Sequence, residues 1–325
     1  MPKVAVLMPV YNAGKYLSES IRSILSQSFT DFSFYIVDDG STDNSLEIIA
    51  SFNDPRIKIL RKEKNSGVTD TLNFGLAHIT EPLVTRMDAD DIALPERLNE
   101  QYNFMMSDRE KIICGTQVEY FGDQTNTSSL PLKDAELKTQ LLFQNCFIHP
   151  SVMFRTALMK QGYPDKYPHL EDYAAWIGLR DKGKFGMLDK VLIKYRMEGQ
   201  NISFRNYGNK LERVTPLYKQ LLEELNIEPS GKNILLHFSL CGHICPGTGI
   251  EEIIDHANLI IEKNKIVRCY PEKELKELII HKLNVYYFLI VKIRPRSAFV
   301  FWKKMKSITF KQFRYWLSAT MNKKR

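Results

Sequence analysis

No stretch of about 18 consecutive apolar residues occurs in this 325-residue chain, so its sequence offers no candidate for a helix that spans a bilayer. The first apolar run, within MPKVAVLMPVYNAGK, is too short for a signal peptide and lacks a small-residue cleavage site after it, which makes it a strand. Cysteine is scarce. The five cysteines at positions 114, 146, 241, 245 and 269 are odd in number and irregularly spaced, which excludes a disulfide framework and fits free thiols in a reducing, cytoplasmic setting. Internal repeats and low-complexity segments are also lacking. So is a glycine-rich, basic phosphate loop after the first strand, where PVYNAGK has one glycine and one lysine.

Acidic residues are missing from one place in particular. Between residues 292 and 325 there are eleven Lys plus Arg and no Asp or Glu, so the net +7 of the chain becomes −4 once that tail is set aside. The tail is also aromatic. The clusters VYYFLIV and AFVFW in residues 283–302 are interrupted by Lys292, Arg294, Pro295 and Arg296. Those charges forbid spanning but suit a segment lying on an anionic membrane surface, with a helix packed on the protein as the alternative. Nothing upstream looks like a nucleic-acid module, so nucleic acid is not an expected partner.

What the chain does have is a rhythm. Short Val/Ile-rich runs at residues 4–9, 34–37, 57–60, 83–87 and 112–120 alternate with helical patterns, the clearest placing Leu17, Ile21, Ile24 and Leu25 on one face. This predicts an α/β fold with a mostly parallel sheet flanked by helices. Residues 132–203 change the rhythm with a helix, the segment 148–155, a helix opening near Glu171 and a strand near 191–195. Beyond Asn209 the apolar spacing is helical. The expected domains are therefore a catalytic one over 1–208 and a helical C-terminal region over 209–325.

In open α/β sheets, ligands bind beyond the carboxyl ends of the strands, and the unusual residues fall there. Asp88-Ala89-Asp90-Asp91 follows the strand LVTRM; two carboxylates one residue apart can face one hard cation, though an Asp-rich turn before Pro95 is the plainer alternative. In Asp38-Asp39-Gly40-Ser41-Thr42-Asp43, a carboxylate can accept from a base N–H near a helix start; Asp43 is read as the cap and Asp39 as the ligand contact. Pro9-Val10-Tyr11-Asn12 offers a ring to stack on a base and an amide to bond it. Asn65-Ser66-Gly67 and Asn73-Phe74-Gly75 bracket a helix whose N-terminal amides could meet a diphosphate; the alternative is that Gly67 simply ends a loop.

Glu171-Asp172 opens the helix that carries Tyr173 and Trp176. A carboxylate there can take a proton from an acceptor hydroxyl, while a first-turn acidic pair favoured by the helix dipole is the alternative. His149 and Trp176 are candidate linings of an acceptor pocket. Cys241, His243 and Cys245 show too few ligands for a zinc site.

Together these segments resemble the family 2 glycosyltransferases of the GT-A fold. PVYN, VDDGSTD, NSG, LNFG, MDADD, HPS, LEDY and YR occur in the family's order between about Lys3 and Ser203. The resemblance implies an inverting enzyme that transfers a sugar from a nucleotide diphosphate donor, most simply a UDP-sugar, to a glycan or lipid-linked acceptor with Mn²⁺ or Mg²⁺. It assigns nucleotide-sugar binding to Pro9, Tyr11, Asn12, Asp38, Asp39, Asn65, Gly67, Asn73, Asp88 and Ala89. Asp88 and Asp90 are assigned to the cation, and Asp172 with Glu171 beside it to catalysis. One departure is Glu198, two residues after Tyr195-Arg196, where many relatives have histidine; it is left out of the ligand set. The expected setting is cytoplasmic, peripheral at the inner face of the cell membrane. A sugar-phosphate nucleotidyltransferase, or an inactive carbohydrate-binding protein of the same fold, are the competing readings.

Overall fold

The computed structural model describes residues 2–198 and 210–293, and the chain divides into two compact units between Pro216 and Leu217. The first unit is built on a sheet. Strand β1 (Val4–Val10) and β2 (Phe32–Asp38) are buried almost throughout, as strands covered on both faces must be. They pair in parallel with each other, β2 pairs in parallel with β3 (Ile57–Arg61), and β1 does so with β4 (Leu83–Arg86).

Helices α1 (Leu17–Leu25), α2 (Ser45–Ala50) and α3 (Val68–His78) connect these strands. On α1 the buried residues are Leu17, Ser20, Ile21, Ser23 and Ile24, the face that the apolar spacing foretold. They join Val4, Val6, Met8, Phe32, Phe34 and Ile36 in one core. Gly40 shows how tightly the loops sit: its φ is +70°, and an added Cβ would come within 2.8 Å of the Lys64 main chain, so only glycine fits.

The other side of the sheet mixes directions. After β5 (Ile92–Ala93) and α4 (Arg97–Met106) come β6 (Lys111–Gly122), β7 (Asn126–Thr127), α5 (Asp134–Gln140), β8 (Met153–Arg155), α6 (Glu171–Leu179) and β9 (Lys184–Met197). The order is β3-β2-β1-β4-β8-β6-β9-β5, with β7 on β6. Strand β8 runs antiparallel to both β4 and β6, and β9 is parallel to β6. The curled, mostly parallel α/β sheet is the one expected. Strand β9 begins earlier than residue 191, because Leu188 pairs with Thr116 and Val191 with Gln117; Asp189 and Lys190 form an irregularity that hid the first half from sequence periodicity.

The second unit is helical among its described residues. Helix α7 (Lys210–Glu224) contains the division point, and α8 (Gly231–Leu240), α9 (Ile250–Val267) and α10 (Glu272–Ile293) follow. Its core includes Leu221, Leu225, Ile253, Ile260, Leu275 and Ile279. All five cysteines are free, and His243 stacks on Phe238 at 4.0 Å. No helix among the described residues is long and apolar enough to cross a membrane. Residues 199–209 and most of the basic tail lie outside the described residues.

Candidate active site

The carboxyl ends of β1, β2, β3 and β4 meet at one edge of the sheet. Asn12, held at φ +49°, accepts from the Thr42 amide at 2.8 Å through its side-chain oxygen and donates its own main-chain N–H to Ser41 Oγ at 3.0 Å. Its side-chain carbonyl is thus committed to the turn after β2. Tyr11 beside it is 48% exposed and free to receive a flat ligand. Asp43, expected as the cap of α2, stands one residue before the N-cap Asn44; it accepts from Ser45 N at 3.0 Å and from Gly14 N at 2.9 Å, so it ties the start of α2 to the loop after β1.

Two aspartates end β2 in different states. Asp39 accepts from the Ser66 and Gly67 amides and lies 3.0 Å from Lys62 Nζ, which fixes the start of α3. Asp38 is fully buried; one oxygen accepts from Ser41 N, and the other has no hydrogen-bond partner and lies 3.9 Å from Arg61 Nε. Asn65 and Gly67 sit exposed above them. Asn73 faces elsewhere: it exchanges two hydrogen bonds with the Tyr163 main chain, at 2.9 and 2.6 Å.

Past β4, one carboxylate oxygen each from Asp88, Asp90 and Asp91 lies within 4.8 Å of the others. Burial and the neighbouring Asp88 push Asp90 up to about 6, and the same causes raise Asp91 well above the usual carboxylate range. Asp91 accepts from Arg196 N at 2.8 Å, yet its second oxygen is buried without a partner. Arg196 also donates from Nε to Asp90 O at 2.8 Å, so the Tyr195-Arg196 pair at the end of β9 braces the acidic turn. Three crowded acids with an unmatched oxygen fit a divalent cation, which would offset their repulsion. Glu198 faces Tyr16 and Lys15, bonding the Tyr16 hydroxyl and lying 3.2 Å from Lys15 Nζ.

Two arginines frame this turn. Arg86, the last residue of β4, is buried and bonds Asp88 through Nη1. Arg97 on α4 is fully buried and reaches Thr85 Oγ1, Arg86 O and Pro150 O at 2.8, 2.7 and 2.6 Å. Burial lowers it to about 9. Gln101, one turn along, donates to Ser151 O at 2.9 Å. Helix α4 thereby fastens the end of β4, just before the acidic turn, to the His149–Ser151 turn.

On that second turn, His149 Nδ1 lies 3.9 Å from both Glu171 Oε1 and Asp172 Oδ2, and Nε2 lies 3.1 Å from the Tyr163 hydroxyl. Burial, aided by the Arg86 charge, holds His149 well below its ordinary range, so it is neutral and the contact is not an ion pair. Asp172 is pushed up to about 7, first by burial and then by Glu171. Its Oδ2 accepts from Asn145 Nδ2 at 2.7 Å, and its Oδ1 from Tyr173 N. One oxygen of Glu171 is buried without a partner. Trp176, expected to line an acceptor pocket, is 0% exposed; it packs behind the site against Phe147, His149, Phe154 and Tyr163, so no acceptor reaches its ring.

Residues 5–162 match the family described as Glycosyl transferase family 2. The amylovoran biosynthesis glycosyltransferase AmsE of Erwinia amylovora is 30% identical over 223 residues, covering 66% of this chain and 84% of that protein. The glycosyltransferase MJ1057 of Methanocaldococcus jannaschii is 31% identical over 223 residues, covering 65% and 75%. The chain belongs to glycosyl transferase family 2. Among solved structures, TarS of S. aureus, determined with UDP-GlcNAc, superposes with a TM-score of 0.58 at 21% identity, covering 87% of this chain and 89% of that one, and so shares its fold.

Family membership makes the protein a glycosyltransferase, and the geometry adds residues that the motifs did not include. Arg86, Arg97 and Asn145 are the main ones. Arg86 carried a signal, being the one charge inside the apolar run before the acidic turn. Asn145 carried none. In this glycosyltransferase its N–H favours the charged form of Asp172, so Asn145→Ala should raise that carboxyl and move the acid limb of a pH–rate profile to higher pH by about one unit. An unmoved limb would show that Asn145 does not tune the group.

Proposed function

We propose that this glycosyltransferase is an inverting enzyme that moves a sugar from a nucleoside diphosphate donor, most simply a UDP-sugar, onto an acceptor hydroxyl, with Asp172 as the general base. The observation that carries this reading is the tie through Arg97 between the end of β4, which leads into the Asp88–Asp91 turn, and the turn holding His149 beside Asp172. A donor-side acid cluster and a buried carboxyl poised near neutrality thus share one neighbourhood.

On this reading, Asp88 and Asp90, with Asp91 behind them, hold a divalent cation such as Mn²⁺ or Mg²⁺. When bound, the ion neutralises charge developing on the diphosphate leaving group. Tyr11 faces the nucleobase, while Asp38 and Asp39, both buried, hold the turns behind it. Asp172 takes the acceptor proton as the new bond forms, and one such carboxylate suffices for direct displacement. The amylovoran assignment of AmsE supports a role in building a surface polysaccharide or lipid-linked glycan. Peripheral attachment at a membrane through the basic tail belongs to the same proposal.

A thermal-shift screen of nucleoside diphosphates with and without Mn²⁺ tests the donor side. A ligand at 100 times its Kd stabilises the native state by about 2.7 kcal/mol. A Mn²⁺-dependent rise for one nucleotide is the expected result, and no rise for any would overturn the reading.

A further inference from the structure

Arg86 holds an unusual position between the two halves of the site. Its side chain is 7% exposed, and its hydrogen-bonding partner among the described residues is Asp88, through Nη1; Nε is buried with no partner. Its main-chain N–H donates to Val152 O at 3.2 Å, and its carbonyl accepts from Arg97, which also grips Pro150. The residue is therefore seated against the turn that carries His149, which lies 3.9 Å from Glu171 and Asp172. Its charge is felt at Asp172, His149 and Tyr163 as well as at Asp88, Asp90 and Asp91.

A guanidinium carries five N–H donors in a planar fork, and leaving a buried donor unmatched is costly. Something must supply the missing acceptor oxygen. The five acids around it cannot be reached all at once, and the protein gives Nε none of them. If Asp88 and Asp90 hold the diphosphate end of the donor and Asp172 faces the acceptor, the group between them is the glycosyl unit in transit.

We propose that Arg86 binds oxygen substituents of the transferred glycosyl unit, and so is a specificity-determining residue of this enzyme in contact with the donor sugar rather than with the diphosphate. The proposal rests on the donor and acceptor sides assigned above.

The test compares wild type with Arg86→Gln and Arg86→Lys. Binding of UDP with Mn²⁺ is measured by calorimetry, and hydrolysis of UDP-glucose, UDP-galactose and UDP-N-acetylglucosamine by UDP release. Arg86→Lys, which keeps a cation beside Asp88, should bind UDP with Mn²⁺ within about 3-fold of wild type. Hydrolytic kcat/KM should fall about 10- to 100-fold in Arg86→Gln, the range of a lost charged hydrogen bond, with a smaller fall in Arg86→Lys. A loss of UDP affinity in Arg86→Lys as large as its loss of hydrolysis would place Arg86 on the diphosphate and overturn the proposal, as would unchanged hydrolysis in Arg86→Gln. Arg86→Lys keeps the charge and decides the matter should Arg86→Gln melt below the assay temperature. A wild type that binds no UDP refutes the uridine donor instead, a result separable from either failure.

Discussion

Asp172→Asn should lower glycosyl transfer by about 10²- to 10⁴-fold while leaving nucleoside diphosphate binding intact. The substitution keeps the shape of the side chain and removes its ability to accept a proton. Asp172 is pushed up to about 7, so wild-type kcat/KM should rise with pH and level off above a limb near 7, and that limb should vanish in the variant's residual activity. Stability should move the other way. A carboxyl raised above its unfolded value binds more protons in the native state, so folding stability falls as pH rises from about 4 to about 7. Above that window the wild type carries the full cost of a buried charge, and Asp172→Asn should melt at a higher temperature at pH 8. Parallel pH–rate and melting series check both signs; an unchanged rate would remove Asp172 from the chemistry.

The second large effect belongs to the acidic turn. Asp90→Ala should abolish Mn²⁺-dependent nucleotide binding and reduce transfer about 10²- to 10³-fold, the scale for losing one preorganised stabiliser of developing charge. Asp90 is held up at about 6 by burial and by Asp88, so the metal-free protein should gain stability from the substitution near pH 7 as repulsion is relieved. Calorimetry with Mn²⁺ and a nucleoside diphosphate, beside melting without metal, separates these results. Full metal-dependent binding by Asp90→Ala would move the cation site elsewhere.

The parallel half of the fold was legible because its strands are buried on both faces and end in polar punctuation. Strands β5, β7 and β8 are two or three residues long and have no period to read, so the segment 148–155 resolved into a short turn and strand only in three dimensions. Among site residues, the acidic turn and the Glu171-Asp172 helix start were visible as local clusters. Asn12 and Asn73 were expected at the ligand, yet their amides bond main chain 30 and 90 residues away. Arg97, fully buried, was not among the expected site residues. Long-range bonds from side chain to main chain leave no mark on local composition, which is why these positions escaped sequence reading. Trp176 was misplaced for a related reason: a tryptophan near a catalytic carboxylate reads the same whether it faces the substrate or supports the floor beneath it.

Strand β8 has a consequence for how this enzyme can diversify. Three residues wedged between β4 and β6 hold the His149–Ser151 turn beside the acidic one, while residues 123–133 and 157–162 make few ladder bonds. Those flanks can lengthen or change composition without disturbing the strand pairing that builds the nucleotide half. One fixed donor platform could then be fitted with many different acceptor clefts, each hung on the same three-residue peg.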